Sequence, residues 1–279
     1  MLGTTADDSR GSKSGVTPSG TTPYVREAKP SDIPALADVY TRAFARDPMM
    51  NWFGNVGELV RADHLKGGEK VPSTARRTLE SLHHFQLVLM KMTQISGLIV
   101  VVVEREDGGQ GGQKEATATE RVVGGVLWLK PGTSMNPSPL TLGYFSLTQR
   151  TSIEFGPEAE KVTDEVFAAR GLRRLNSWHV FEIAIDPACE GKGYASLLLR
   201  DGFERASGKP MHLEATTPRS RDIYAHLGFE AGRLNGERRF GVGSVDERGI
   251  VAKGEAAVGW PVFFMTKVCS LSLTGLLDN

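Results

Sequence analysis

The segment 178–206 constrains the fold more than any other part of this 279-residue chain. It opens with an apolar, β-branched run that ends at Asp186-Pro187, as a buried strand does. Glycine-rich residues follow, and apolar residues then recur at helical spacing from Tyr194 to Ala206. A strand, a glycine turn and a helix in this order predict a site that cradles an anion.

Two glycines in this turn give the prediction its chemical basis. Gly191 and Gly193 have no Cβ, so the backbone can approach a ligand and direct several N–H groups at it. The helix that begins there adds the partial positive charge of its N-terminus, which favours a phosphate or a pyrophosphate. A P-loop would require Ser or Thr after Gly-Lys, but Lys192 is followed by Gly193. A dinucleotide fingerprint would require a third glycine where Ser196 stands.

The pattern that remains resembles the pyrophosphate loop of the GNAT acetyltransferase superfamily. That loop has the form Gln/Arg-x-x-Gly-x-Gly/Ala, and the matching run here is Glu190-Gly191-Lys192-Gly193-Tyr194-Ala195. One residue departs from the pattern, since Glu190 stands where the family usually has Gln or Arg. A carboxylate beside a pyrophosphate is unfavourable, so we expect Glu190 to point away or to pair with a cation such as Lys192.

A second block, at 211–230, extends the resemblance. Residues 211–216 are typical of a strand, Pro218 is well placed to open a short helix, and Gly228 suits the left-handed position after it. The order Leu-Glu-x-x-x-Pro-Arg, then Tyr, then Leu-Gly-Phe is closest to the puromycin N-acetyltransferase type, and Trp178 before the first strand fits that type too.

The resemblance implies one GNAT-like α/β (α+β) domain at residues 23–268. Its mixed central sheet would have six to seven strands, splay in the middle and carry helices on both faces. We expect a disordered tail at 1–22, a flexible loop at 105–120 and a C-terminal tail at 269–279. The glycine- and charge-rich insertion at 233–258 is not explained by this fold.

Local patterns place the remaining elements. Apolar periodicity predicts helices at 33–46 and 76–92, and strands at 98–104, 122–130 and 260–267, the last pairing antiparallel with the chain at Glu230. The loop 47–53 would border the acceptor groove, and its apolar residues would either form groove wall or pack in the core: Met49, Met50, Trp52 and Phe53. Residues 137–170 are predicted to form one or two helices that can lean over the acceptor site.

The resemblance also implies how acetyl-CoA would bind as co-substrate, with no metal. The acyl-pantetheine arm would lie between the diverging strands, along the backbone of Ile183, Ala184 and Ile185. The diphosphate would lie on the N–H groups of the loop, whose residues are Glu190, Gly191, Lys192, Gly193, Tyr194, Ala195 and Ser196.

Acetyl transfer to an amine needs a deprotonated nucleophile and a proton for the leaving thiolate. Tyr224 matches the family tyrosine that donates this proton, and its alternative is a packing role. Glu214 is the first candidate for the base and Glu182 the second, although each could equally be structural. Regular strand alternation would put His179 and Glu182 on opposite faces, so we expect that they cannot both face the acceptor.

These residues predict an N-acetyltransferase that acetylates a primary amine of a small molecule by direct attack in a ternary complex. Two alternatives stay open: a non-catalytic acyl-CoA-binding or sensing module, and a peptide or protein N-acetyltransferase. The chain has 33 basic and 33 acidic residues, so its formal net charge of zero implies no nucleic-acid or membrane partner. Its two cysteines fit a reducing compartment, and we expect a monomer or homodimer in the cytosol or nucleus.

Overall fold

The computed structural model describes residues 21–65, 71–106, 119–133, 150–231 and 237–268. Most of the predicted N-terminal tail, most of the predicted flexible loop and the predicted C-terminal tail with Cys269 lie outside the described residues, as does part of the insertion.

Eight strands and six α-helices account for most of the described chain. The strands are β1 Thr21–Glu27, β2 Gly97–Glu106, β3 Thr119–Leu129, β4 Trp178–Ile185, β5 Met211–Ala215, β6 Glu230–Ala231, β7 Glu237–Phe240 and β8 Trp260–Lys267. The helices are α1 Ile33–Phe44, α2 Pro48–Phe53, α3 Ser73–Ser96, α4 Gly156–Ala168, α5 Tyr194–Ala206 and α6 Pro218–His226. Of the helices described, none combines the length and the apolar character needed to cross a membrane.

All eight strands belong to one mixed sheet, in the order β1-β2-β3-β4-β5-β8-β6, with β7 also paired to β8. The β4–β5 pair is parallel and the other pairs are antiparallel. The predicted pairing of the last strand with the chain at Glu230 is confirmed. The predicted count of six to seven strands is wrong, because β7 forms inside the insertion, where the sequence shows only weak strand signals.

Helices cover both faces of the sheet, as predicted, and each face has its own apolar core. On the first face, α1 and α3 pack over the sheet with fully buried residues such as Leu36, Tyr40 and Met90. On the second face, α5 packs Leu198 and Leu199 against the other side of the same strands. Each face of the sheet is covered by buried apolar side chains, so the sheet is held between two layers of helices.

The predicted loop at 47–53 is instead the short helix α2. Asp47 begins it as an N-cap, since its carboxylate accepts hydrogen bonds from Met49 N at 2.9 Å and Met50 N at 3.2 Å. Pro48 follows at the first helical position, where its missing N–H costs nothing. The same Asp-Pro pair therefore ends α1 and starts a second helix.

The insertion packs against α2. Asn51 Nδ2 on α2 donates to the Arg248 carbonyl at 2.9 Å, and Val251 N donates to the Val56 carbonyl at 2.9 Å. Gly249 lies so close to α2 that a Cβ there would be 1.9 Å from the Pro48 carbonyl oxygen. The insertion thus supports this helix from outside, a role that the sequence did not reveal.

Candidate active site

The glycine turn after β4 has the backbone geometry of an anion site. Gly191 and Gly193 have φ values of 79° and 80°, a region that residues with a Cβ rarely adopt. Gly193 is the N-cap of α5, and no side chain caps its first amides. The free N–H groups and the helix dipole at this end favour a bound anion.

The side chains of this turn are held by a buried carboxylate. Lys192 Nζ and Tyr194 Oη both donate to Glu104 on β2, at 2.9 Å and 2.6 Å, and Arg121 donates to it at 2.6 Å. Burial alone would raise the pKa of Glu104, but these three hydrogen bonds outweigh it and lower that pKa to about 2. The carboxylate therefore stays ionised and ties the turn to the sheet.

Glu190 pairs with a cation, as expected, but Lys192 is not its partner. Its carboxylate lies 3.0 Å from Arg219 Nη2 on α6, while Lys192 is paired with Glu104. Both side chains of the Glu190–Arg219 pair are substantially exposed. The carboxylate that departs from the GNAT pattern is thus neutralised by a residue of the second sequence block.

The strands β4 and β5 separate soon after they begin. They pair only at Trp178 with Met211 and at His179 with His212. The rest of β4, including the backbone of Ile183 to Ile185, pairs with β3 on its other side. On the edge of β4 that faces β5, no described strand pairs with the residues after His179. The peptide groups on that edge are therefore unpaired up to the glycine turn.

A β-bulge changes which side chains of β4 share a face. Leu127 on β3 pairs with Glu182 and Trp128 pairs with Val180, so Phe181 is an extra residue without a partner. The bulge shifts the alternation by one residue and brings His179 and Glu182 to the same face. The expectation that these two side chains cannot both face the acceptor is therefore wrong.

On that face lies a cavity of about 370 Å³. Its walls come from α2, α3, α4, β4 and β5, including Met49, Met50, Phe53, Phe85, Leu89, Phe155, Ala159, Phe181, Glu182, His179, His212 and Glu214. Four apolar residues were predicted to form either groove wall or core. Met49, Met50 and Phe53 line this cavity, whereas Trp52 packs against Phe240 and Trp260 in the core. The segment 137–170 was predicted to be able to lean over the acceptor site, and residues of its described part, 150–170, line this cavity.

Glu182 is a buried acid on the wall of this cavity. Burial raises its pKa to about 8, a nearby Gln86 opposes this only partly, and the charge of Asp47 adds to it. Its Oε2 atom and the side-chain amide of Gln86 have no hydrogen-bond partner among the described residues. A carboxyl group with this pKa can gain and lose a proton near neutral pH.

Glu214, the first candidate for the base, is held by a histidine. His179 Nε2 lies 2.7 Å from Glu214 Oε2, and the His179 and His212 rings stack with centroids 4.2 Å apart and 15° between planes. Donor atoms of the three residues lie within 4.8 Å of one another, a spacing that a metal could bridge. Imidazole lone pairs lie in the ring planes, however, and the planes of these two stacked rings are nearly parallel. The lone pairs therefore do not converge on one ion, and the arrangement favours hydrogen bonding over chelation.

Tyr224 lies outside the cavity walls, on α6. Burial raises the pKa of its phenol, and the charge of Asp47 raises it further, so the hydroxyl stays protonated. Its hydroxyl has no hydrogen-bond partner among the described residues, and its ring contacts Phe229 edge-on. Helix α6 also carries Arg219, the partner of Glu190, so it stands beside the glycine turn.

Sequence reasoning missed three residues of this site. Asp47 joins α2 to the end of β5, because Thr216 Oγ1 donates to its carboxylate at 2.5 Å. The Asp-Pro order could have identified it as a helix cap. Gln86 and His212 have no signal in the sequence, since only folding brings Gln86 on α3 close to Glu182 and His212 on β5 to the cavity wall.

Comparison with known proteins identifies the fold. No protein-family model matches the chain, and no curated protein matches it. Among solved structures, the C-terminal condensation domain of Ebony, in complex with beta-alanyl-dopamine, is 12% identical and covers 89% of this chain and 99% of its own, with a TM-score of 0.54. A protein named as arylalkylamine N-acetyltransferase 7, from the mosquito Aedes aegypti, is 16% identical and covers 88% and 87%, with a TM-score of 0.53.

A histone acetyltransferase HPA2-related protein from Corynebacterium glutamicum is 21% identical, covers 90% of this chain and 98% of its own, and has a TM-score of 0.48. At these identities the likeness concerns the fold. The chain has the mixed, splayed α/β sheet of the GNAT fold.

Proposed function

We propose that the chain is an acetyl-CoA-dependent N-acetyltransferase that acetylates a primary amine of a small molecule by direct attack in a ternary complex. The observation that carries the proposal is the open edge of β4. One end of that edge meets a turn rich in free N–H groups, and the other meets a cavity with a buried acid.

The coenzyme would occupy the edge and the turn. Peptide groups of Ile183, Ala184 and Ile185 suit the amide-bearing pantetheine arm, which can pair with them as a strand would. The diphosphate would lie on the amides from Gly191 to Ser196, at the positive end of α5. This arrangement needs no metal, because the main-chain N–H groups and the helix dipole balance the negative charge of the diphosphate.

The acceptor would lose its proton to Glu182. A carboxylate with a pKa of about 8 takes a proton from an ammonium group more readily than an ordinary glutamate does. The amine nitrogen then attacks the thioester carbon, the C–S bond breaks as the C–N bond forms, and the thiolate takes a proton from Tyr224. The new amide nitrogen gives up its second proton, which restores the Tyr224 phenol. In this assignment Glu214 orients His179 rather than acting as the first base, since its Oε2 is occupied.

Two observations favour a small-molecule acceptor. Helix α4 and the turn Arg150–Phe155 contribute to the cavity walls, so the site is covered on the side where a peptide would extend. Two solved structures with TM-scores above 0.5 are named for an arylalkylamine N-acetyltransferase and for a complex with beta-alanyl-dopamine, the amide that joins beta-alanine to the amine dopamine. The puromycin-type likeness, the cytosolic or nuclear location and the monomer or homodimer stay predictions.

The test follows release of free thiol from acetyl-CoA in the presence of a panel of primary amines, with mass detection of the acetylated product. We expect product with at least one amine. In Tyr224→Phe, turnover should fall by roughly 10- to 100-fold while coenzyme A affinity stays within about threefold, as expected for loss of a general acid. Tight binding of coenzyme A without thiol release from any amine would instead indicate the non-catalytic binding module.

A further inference from the structure

The hydrogen bonding of His212 fixes which of its ring nitrogens carries the proton. Ser177 Oγ lies 2.8 Å from His212 Nδ1 and donates its own hydrogen to the Arg174 carbonyl. A hydroxyl has one hydrogen, so towards the imidazole the Ser177 oxygen can only accept. His212 Nδ1 therefore carries the hydrogen, and Nε2 carries a lone pair.

The environment of His212 keeps this ring neutral. Burial, the neighbouring His179 and the Arg174 guanidinium all hold its pKa well below the usual value. The ring is 4% exposed and lines the cavity, and no described residue hydrogen-bonds its Nε2. At neutral pH this nitrogen is a hydrogen-bond acceptor that awaits a donor.

This acceptor and Glu182 lie at different positions along the sheet, and both line the cavity. His212 pairs in register with His179, and Glu182 lies three residues further along β4. At a strand rise of about 3.3 Å per residue, the Cα atoms of His179 and Glu182 are no more than roughly 10 Å apart. The cavity wall also includes the rings of Phe53, Phe85, Phe155 and Phe181.

We propose that the acceptor is an amine with a flat apolar body and a hydroxyl at its far end, whose hydrogen is accepted by His212 Nε2. The inference rests on the proposed function, because it takes the amine end to lie at Glu182. His212 is then a specificity-determining residue, and Ser177 is a positioning residue that fixes its tautomer.

Another polar group of the cavity wall is Arg174, which can only donate. Its Nε hydrogen-bonds Asp164 at 2.9 Å and its Nη2 lies 3.6 Å from Glu160. A hydroxyl can satisfy either group, whereas an ether oxygen can satisfy Arg174 alone. The two assignments therefore predict different substrate preferences.

Three amines of matched shape separate these assignments: 2-phenylethylamine, its 4-hydroxy derivative and its 4-methoxy derivative. We expect kcat/KM for the 4-hydroxy amine to exceed that for phenylethylamine by about tenfold or more, because a cavity acceptor left unpaired weakens binding. The 4-methoxy amine should show no such gain. A 4-methoxy preference equal to the 4-hydroxy one would overturn the proposal, as would equal use of phenylethylamine and the 4-hydroxy amine.

Variants then test the residues through the ratio of kcat/KM for the 4-hydroxy amine to that for phenylethylamine. His212→Phe keeps a ring against His179 and should bring the ratio close to one. Ser177→Ala keeps the imidazole but frees its tautomer, and should lower the ratio about threefold. The control His84→Phe changes an exposed histidine of α3 and should keep the wild-type ratio. A wild-type ratio in both His212→Phe and Ser177→Ala would overturn the proposal.

If no amine of the panel causes release of thiol from acetyl-CoA, the proposed function fails, but the role of His212 can still be tested by binding. Calorimetry then measures the affinity of the three amines for the protein saturated with coenzyme A. About tenfold tighter binding of the 4-hydroxy amine than of both others supports the donor site. Equal affinities, or no binding of any of the three, overturn it.

Discussion

The two halves of the site use opposite physical means. The glycine turn offers main-chain N–H groups, and its one unfavourable side chain, Glu190, lies in an exposed ion pair with Arg219. The cavity offers buried side chains with shifted proton affinities, Glu182 and His212. Side-chain identity should therefore matter little at the turn and greatly in the cavity, and substitutions in each half can test this contrast.

The largest effect is expected for Glu182→Gln, in the cavity. Loss of a general base should lower kcat/KM for the amine by about 10²- to 10³-fold. Wild-type kcat/KM should rise with pH through about 8, as Glu182 ionises, and the variant should lack this rise. The control Glu158→Gln removes a carboxylate outside the cavity walls and should stay within about twofold of wild type. A pH profile unchanged in Glu182→Gln would remove the residue from the mechanism.

The same variant tests the cost of burying this charge. The folded-state pKa of Glu182 is raised from 4.5 to about 8, so the unfolded chain releases this proton at lower pH than the native protein. The stability that the protonated group contributes is present below pH 4.5 and is lost as pH rises through 8. Thermal unfolding should therefore show a higher Tm for Glu182→Gln than for wild type at pH 8.5, with a smaller difference at pH 5.

At the turn, Gly193→Ala should weaken coenzyme A binding about tenfold. A residue with a Cβ at φ 80° is strained by about 1 to 2 kcal/mol, and relief of that strain would move the amides that bind the diphosphate. Gly208→Ala is the matched control: its φ is 81°, and open space surrounds both positions. Both variants should lose similar stability, but Gly208→Ala should bind coenzyme A as wild type does. Equal losses of affinity in the two variants would show that strain alone, and not the turn, is responsible.

A smaller and purely cavity-side effect is expected when the insertion is displaced from α2. In Gly249→Ala the new Cβ would collide with the Pro48 carbonyl, so α2 must shift. We expect KM for the amine to rise about fivefold while the Kd for coenzyme A stays unchanged. The control Gly243→Ala has a comparable φ of 83° but open space, and should alter only stability. An equal rise in KM in the control would show that the contact between the insertion and α2 does not shape the acceptor site.

The smallest effect should come from Glu190→Gln, which restores the type of residue usual in the GNAT loop. Because Arg219 already neutralises the carboxylate, coenzyme A affinity should change by less than about threefold, as is usual for exposed ion pairs. Arg219→Ala alone should weaken binding more than the Arg219→Ala/Glu190→Gln double variant does. Additive effects of the two substitutions, measured by calorimetry, would show that the pair is not coupled.

The sequence predicted the structure of the glycine turn and its flanking elements well because their signals are local. The strand Trp178–Ile185, the helix Tyr194–Ala206 and the helix opened by Pro218 were predicted from neighbouring residues, and the structure has them at these positions. The left-handed Gly228 was likewise predicted, and its φ is 86°. Such features depend on which residues adjoin a glycine or a proline, and this is visible in the chain order.

The cavity could not be predicted to the same depth. Glu182 and Glu214 were named as candidates. Gln86, which lies near Glu182, comes from a distant helix, and His179, which holds Glu214, comes from a strand whose alternation is interrupted. The bulge at Phe181 depends on the register with β3, which the sequence of β4 alone does not specify. The support of α2 by the insertion is a long-range contact of the same kind.

The extra residue at Phe181 also decides which side chains of β4 can act together. Before it and after it the strand alternates regularly, but the two stretches are out of step by one residue. His179, before that point, and Glu182, after it, therefore reach the same cavity from one strand. Without this interruption, strict alternation would turn one of these two side chains to the opposite face of the sheet.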